Sequence, residues 1–302
     1  VQPPVIDKKE IDKYPNQGRK VLLFSDSRQR AAKLALDMSN ASDEMAFMQL
    51  FMLAVNVAEN AEKEISLNDL YGYFIQEAAL RHIQLYHNES YDKYQDQCLK
   101  TLQYIASRQK RGKKFEPDIS FDNAPVAALE HLIRLFCLGY NNVYDNALAW
   151  LEPTEKYLEK AIDTLQDKNI DIDDKQFIEI FNAWLMDIFN KYGALGHQID
   201  DECRRAVSSS YKRLGLPQNW EFSKNFLQIM GWKKNSEIVQ IWHETLHDFL
   251  DGTDDRYYIQ LSKVTVRDGL QHNWFKCHDC SELTPFPLNG KCPTCGSDNL
   301  TE

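Results

Sequence analysis

Gly18-Arg19-Lys20-Val21-Leu22-Leu23-Phe24-Ser25-Asp26-Ser27-Arg28-Gln29-Arg30-Ala31-Ala32 is the stretch on which the fold of this chain turns. Val21 to Phe24 form a short, continuous apolar run, the mark of a strand buried on both faces. Ser25, Asp26 and Ser27 then offer N-caps, and Ala31, Leu34, Ala35 and Met38 recur at helical spacing. The two halves read as one strand-turn-helix unit of the kind that builds parallel sheets. One strand makes no sheet, so its partners are expected elsewhere.

Outward from this unit, residues 1–17 read as a linker, with Pro3, Pro4 and Pro15 and no apolar period. Residues 18–40 hold the strand-helix unit. Residues 41–252 are almost entirely helical in pattern, with helices expected over 44–62, 66–87, 90–111, 125–138, 154–168, 173–192, 223–230 and 236–250. Ser66, Thr154, Asp173 and Ser236 are the expected caps, and Gly193 and Gly231 fall where helices should stop. No repeat of fixed period is found, which argues against a solenoid. Over 253–302 the pattern changes: Tyr257, Tyr258, Ile259, Leu261, Val264 and Val266 are strand formers. The expected fold is therefore mainly α: a large helical insert on a partial α/β unit, closed by a small C-terminal β segment.

That last segment carries Cys277, Cys280, Cys292 and Cys295 in the pattern C-x2-C-x11-C-x2-C. Two such turns can present four thiolates to one Zn²⁺ in a tetrahedron. Pro293 stiffens the second turn and Gly296 permits an exit with φ > 0. A short hairpin around Pro285, Pro287 and Gly290 fits the spacer. With four cysteines the shell is complete and no position is left for water, so the expected zinc is structural. Cys98, Cys137 and Cys203, the other three of seven, are scattered, which fits a reducing compartment better than a disulfide framework. The expected location is the cytoplasm.

The net charge of −10 argues against the whole surface being a nucleic-acid platform. No stretch reaches the length of a membrane span, and the longest apolar run, Ala46 to Val57, is broken by Gln49 and Asn56. No membrane partner is expected. The chain begins on Val1 rather than Met, and it is expected to be part of something longer.

Residues 18 to about 36 resemble the segment that opens the second RecA-like lobe of superfamily 2 DNA and RNA helicases. Phe24-Ser25-Asp26-Ser27-Arg28-Gln29 matches the phenylalanine-serine-aspartate-x-arginine-glutamine signature of large bacterial DEAD/DEAH-box helicases. In those proteins a long helical insertion and a four-cysteine cluster follow, and several belong to anti-phage systems such as DISARM-type islands. The resemblance implies a fragment of an ATP-dependent helicase, with DNA favoured over RNA as partner, alongside the rest of the motor and other defence proteins. It also implies that Ser25, Ser27, Arg28 and Gln29 meet the nucleic-acid backbone. The chain has no G-x-x-x-x-G-K-[ST] loop, no DEAD or DEAH tetrapeptide and no late arginine-finger motif. ATP and Mg²⁺ are thus expected only in the intact parent protein.

A rival signal is His243-Glu244-Thr245-Leu246-His247, which matches the H-E-x-x-H of zinc metallopeptidases. The apolar face of this helix centres on Ile238, Trp242, Leu246 and Phe249, which puts the histidines about 100° and 140° away, on the solvent flank. A third ligand would have to come from Asp251, Asp254, Asp255, His272 or Glu282, none in a recognisable context. The residues favour surface histidines. A non-catalytic helical adaptor with a zinc ribbon is the third reading. Arg108 to Lys114 is the strongest basic run and could follow phosphates, but a solvated loop is the simpler expectation; Arg204, Arg205, Lys212 and Arg213 form a weaker second cluster, offset by Asp200, Asp201 and Glu202.

Overall fold

The computed structural model describes residues 28–86, 89–112, 116–137, 142–207, 214–253 and 255–302. Residues 1–46 and 47–302 are two compact units. The described part of the first, residues 28–46, is helical. It belongs to α1 (Arg28–Glu59), and from Phe47 onward this helix carries Phe47, Leu50, Phe51 and Ala54 into the core of the larger unit. The sequence pattern divides this stretch near Ser39–Asp43. No Gly or Pro interrupts it, and Ser, Asn and Asp inside a helix cost only about 0.5 kcal/mol each relative to Ala, so the helix continues.

The larger unit runs α2 (Leu70–Leu80), α3 (Ser90–Lys110), α4 (Val126–Cys137), β1 (Ala149–Pro153), α5 (Glu155–Asp167), α6 (Asp174–Tyr192), α7 (Asp201–Val207), β2 (Leu216–Pro217), α8 (Lys224–Met230), α9 (Glu237–His247), β3 (Leu250–Thr253), β4 (Arg256–Ile259), β5 (Val264–Asp268), β6 (Phe275–Cys277), β7 (Leu283–Thr284) and β8 (Leu300–Thr301). About 51% of the described residues are helical and the sheets are small, so the fold is mainly α.

Local chemistry sets the clearest boundaries. Asp173 accepts from the Gln176 N–H at 2.8 Å while the Gln176 side chain accepts from the Asp173 N–H at 3.3 Å, a complete capping box ahead of α6. Gly193 ends that helix at φ 54° and Gly231 ends α8 at φ 68°. Ser223 caps α8 by accepting from the Phe226 N–H. Ser236 and Thr154 stand at their helix starts without side-chain cap bonds. The 66–87 pattern shortens to α2, with Ser66 instead bonding Asp69 in the preceding turn.

Two strands inside the helical region escape the sequence pattern. β1 pairs antiparallel with β5, from Ala149 opposite Asp268 to Pro153 opposite Val264. β2 joins β4 and β3 in a second sheet. Five residues are too few for periodicity to declare a strand, and the partner of β1 lies more than a hundred residues on. This ladder ties the middle of the chain to the segment leading into the cysteines.

Two aromatic clusters fill the core. Phe47, Phe51, Tyr71, Phe74, Phe121 and Phe136 join α1, α2 and α4, with Phe47 and Phe74 centred 4.7 Å apart. Phe177, Phe181, Trp184, Trp242 and Phe249 join α6 to α9, with Phe181 and Phe249 at 4.8 Å. Rings of this size each bury a large apolar area and dominate the packing energy.

Arg204, of the weaker basic cluster, is an interior residue, fixed by α7 and fully buried. Its guanidinium donates to the carbonyls of Gly193, Gly196 and Ile199 and lies 4.2 Å from the Tyr258 ring centroid. A planar five-donor fork suits such a convergence of carbonyls. In the other cluster, Arg108 pairs with Glu116 at 3.3 Å and lies over Tyr104.

Candidate metal centre

β6 delivers Cys277 to the base of the ribbon, and the second turn delivers Cys292; both are buried, while Cys280 and Cys295 lie outward. The Sγ atoms of Cys277 and Cys295 are 3.6 Å apart, as are those of Cys280 and Cys292, and all four lie within 4.8 Å of one another. Four sulfurs placed about 2.3 Å from one Zn²⁺ sit about 3.8 Å apart in a tetrahedron, so the set fits a metal ion such as zinc. Cys277, Cys280, Cys292 and Cys295 form the only metal-capable cluster of three or more His, Cys, Asp or Glu side chains among the described residues.

The two turns are built alike. Ser281 N–H donates to Cys277 O at 2.9 Å and Gly296 N–H to Cys292 O at 2.8 Å; Cys277 N–H and Cys292 N–H donate to Glu282 O and Ser297 O. Burial opposes the Cys277 thiolate, but the backbone N–H groups of Cys280 and Asp279, with the neighbouring Cys295 and Cys280 sulfurs, bring its pKa down to about 7. At Cys292 burial prevails over the N–H groups of Cys295 and Thr294 and holds the thiol up at about 11. A bound cation deprotonates such thiols outright.

Corresponding exits from the turns are Gly296 at φ 79° and Ser281 at φ 65°. Glycine takes this conformation freely, whereas a side chain there costs about 1 kcal/mol. Ser281→Gly is accordingly expected to raise the ribbon's unfolding free energy by about 1 kcal/mol, read as stronger protection of the ribbon amides from hydrogen exchange. Weaker protection would contradict it. In the spacer, Asn289 and Gly290, both at positive φ, make a two-residue turn closed by reciprocal bonds between Leu288 and Lys291. This is the Asn-Gly hairpin chemistry. Beside the four cysteines, Ser297 and Asn299 donate to the Asp279 carboxylate at 2.6 and 3.1 Å.

Among the described residues the ribbon is fastened to the helical body through α8 and β1, and Asn289 Nδ2 of its hairpin donates to Ile229 O on α8 at 3.4 Å. Asn225 Nδ2 on α8 donates to Thr294 O at 2.8 Å, inside the second turn. Trp150 of β1 packs against His272, Trp274 and Phe286, and the His272 ring bonds Pro285 O at 2.7 Å.

The strand read over 20–24, with Ser25 and Ser27, lies outside the described residues. Arg28 and Gln29 open α1, and only their backbone is described.

The histidines of α9 do not sit as surface groups. His243 is half-buried and stacks on Trp220 at 4.1 Å, with the rings 18° from parallel. Burial, its main influence, lowers its pKa, against a hydrogen bond with the Trp220 backbone. His247 packs edge-on to Tyr257, 4.8 Å between centroids. Among the described residues neither histidine belongs to a cluster able to hold a metal. The helical wheel of α9 alone placed them toward solvent, because Trp220 comes from another segment.

No family model matches the chain. No solved structure matches it. Over 293 residues, 95% of its length, the chain is 25% identical to Druantia protein DruE of Escherichia coli (strain UMEA 4076-1). It spans 16% of the length of that curated relative. Among the described residues, no helix is long and apolar enough to cross a membrane.

Proposed function

We propose that this chain is the insert-bearing part of an ATP-dependent superfamily 2 helicase or translocase, acting on DNA in defence against phage. The observation that carries the reading is the likeness to a Druantia protein along 95% of the chain but only 16% of that relative. A likeness of that extent is what a segment of a much longer protein gives. The helicase signature at Phe24 to Gln29 supports the same reading from the residues. In this reading the parent protein supplies the phosphate loop, Mg²⁺ site and late motor motifs. This chain supplies the opening of the second motor lobe, with Ser25, Ser27, Arg28 and Gln29 as backbone contacts, and a helical insert that meets DNA or other defence proteins.

The metal has a mechanical role in this scheme. Ribbon strands of two or three residues hold little apolar area of their own, and a closed four-thiolate site supplies the missing stability. Through Asn225 and the Trp150 cluster, the bound ion would brace the point where the chain leaves the helical body. The test is ATP hydrolysis by the intact parent protein with and without DNA. Hydrolysis stimulated at least about tenfold by DNA is expected, a modest part of what positioned phosphoryl-transfer groups supply, and this chain alone should show none. An intact protein whose ATP turnover ignores DNA would sink the reading.

A further inference from the structure

The H-E-x-x-H helix has a second use. His243 and Glu244 line a cavity of about 270 Å³ together with Trp220, Phe222, Asn235 and Gln240. That volume lies below the roughly 300–1,000 Å³ of pockets for drug-sized ligands, a size for one ring system rather than a whole nucleotide. We propose that this cavity is a nucleobase slot, where an unpaired base of single-stranded DNA enters beside the stacked Trp220–His243 pair. The proposal rests on the helicase reading for the identity of the polymer and on the cavity for the chemistry.

Three features select a base over other ligands. The walls are aromatic, and bases stack on such rings with little regard to sequence. The rim residues Asn235 and Gln240 are exposed amides, each offering a donor and an acceptor, which suits the mixed edge of a base. The Nε1–H of Trp220, buried in the wall, has no hydrogen-bond partner in the structure, a polar group still to be satisfied.

Charge decides which part of the strand enters. Glu221, Glu244 and Lys234 all line the slot and are exposed, so the lining carries a net negative charge that disfavours a phosphate inside. Exposed Lys234 pairs with Glu221 at 2.7 Å, and Lys233 and Lys224 are exposed nearby in the chain. The strand would therefore run its phosphates past the lysines and turn one base inward. Unlike a metallopeptidase site, this use asks for no third ligand and keeps His243 stacked rather than coordinated.

The test compares a labelled single-stranded DNA of about 12 nucleotides, within the usual range of single-strand site sizes, with an abasic strand of the same length. Binding to the full 302-residue chain is followed by fluorescence anisotropy. The base-bearing strand should bind about tenfold more tightly than the abasic one, the size of one base-stacking contact. His243→Ala should remove most of that difference while leaving abasic binding unchanged, and exposed Gln240→Ala should reduce it about threefold, as one lost hydrogen bond does. A cooperative urea unfolding transition of unchanged slope, retained in both variants, verifies that the helical body folds. Equal affinity for the two strands, or a His243→Ala chain with the full base preference, overturns the slot. The helicase reading fails differently, through absence of DNA-stimulated ATP hydrolysis in the intact protein, and that measurement does not depend on the slot.

Discussion

Replacing Cys277 by Ser should reduce bound zinc from one ion per chain to near zero, measured by mass spectrometry of the purified protein. Cys277 is fully buried, and the backbone N–H groups of Cys280 and Asp279, with the neighbouring sulfurs, favour its thiolate against that burial. A serine oxygen is a harder ligand, and it leaves those N–H groups without the sulfur charge they face. Zinc-finger peptides gain about 10–16 kcal/mol from their metal, far more than short strands supply, so the ribbon should unfold as a unit. The register of β6 with β7 and β8 would be lost, together with protection of the Cys277, Cys292 and Gly296 amides. The helical body should remain, because the close ring contacts of its core, Phe47 on Phe74 and Phe181 on Phe249, lie before Leu270, and the later segment reaches the first cluster only at its edge, through Trp274 against Tyr144. His243→Ala is the matching control and should leave one zinc per chain. A second zinc, lost on His243→Ala, would revive the metallopeptidase reading.

Arg204→Ala should destabilise the larger unit by about 3 kcal/mol or more, read from urea unfolding with unchanged slope. The side chain is fully buried, and three carbonyls converge on it from the loop after α6. Gly193 O still accepts from Leu195 N–H and Gly196 O from Ile199 N–H, so Ile199 O is the carbonyl left without a donor, at about 1–3 kcal/mol, while the lost charged hydrogen bonds to the other two and the contact with Tyr258 add about 1–2 kcal/mol each. Arg204→Met keeps most of the volume but none of the donors, so it should lose nearly as much. A loss under about 1 kcal/mol in both variants would mean that water or a rearranged loop takes the place of the guanidinium.

Helices with strong ends are legible in the amino-acid sequence alone. Asp173, Gln176 and Gly193 state the limits of α6 in their own chemistry, and Ser223 and Gly231 do so for α8. The cysteine spacing is equally legible, since two short turns each bring a pair of sulfurs together without help from distant residues. Pairing across distance is not. β1 looks like the approach to α5 until β5 lies against it. α7 is seven residues long and polar, and nothing local announces that its Arg204 points into the interior.

His243 shows the same division at a single residue. Its place on α9 follows from the sequence, because helical period fixes which neighbours share its face. Its stacking on Trp220 does not, because that ring arrives from another segment once the core of Phe177, Trp184 and Trp242 has closed. Helix ends, the Asn-Gly turn and the four-thiolate site are governed by contacts a few residues long, and the chain carries them in its own order of residues. Which charges are buried, which strands pair and which side chains line the slot is settled by tertiary packing. Those outcomes depend on excluding water between segments that are distant in the chain, and no local pattern encodes that exclusion.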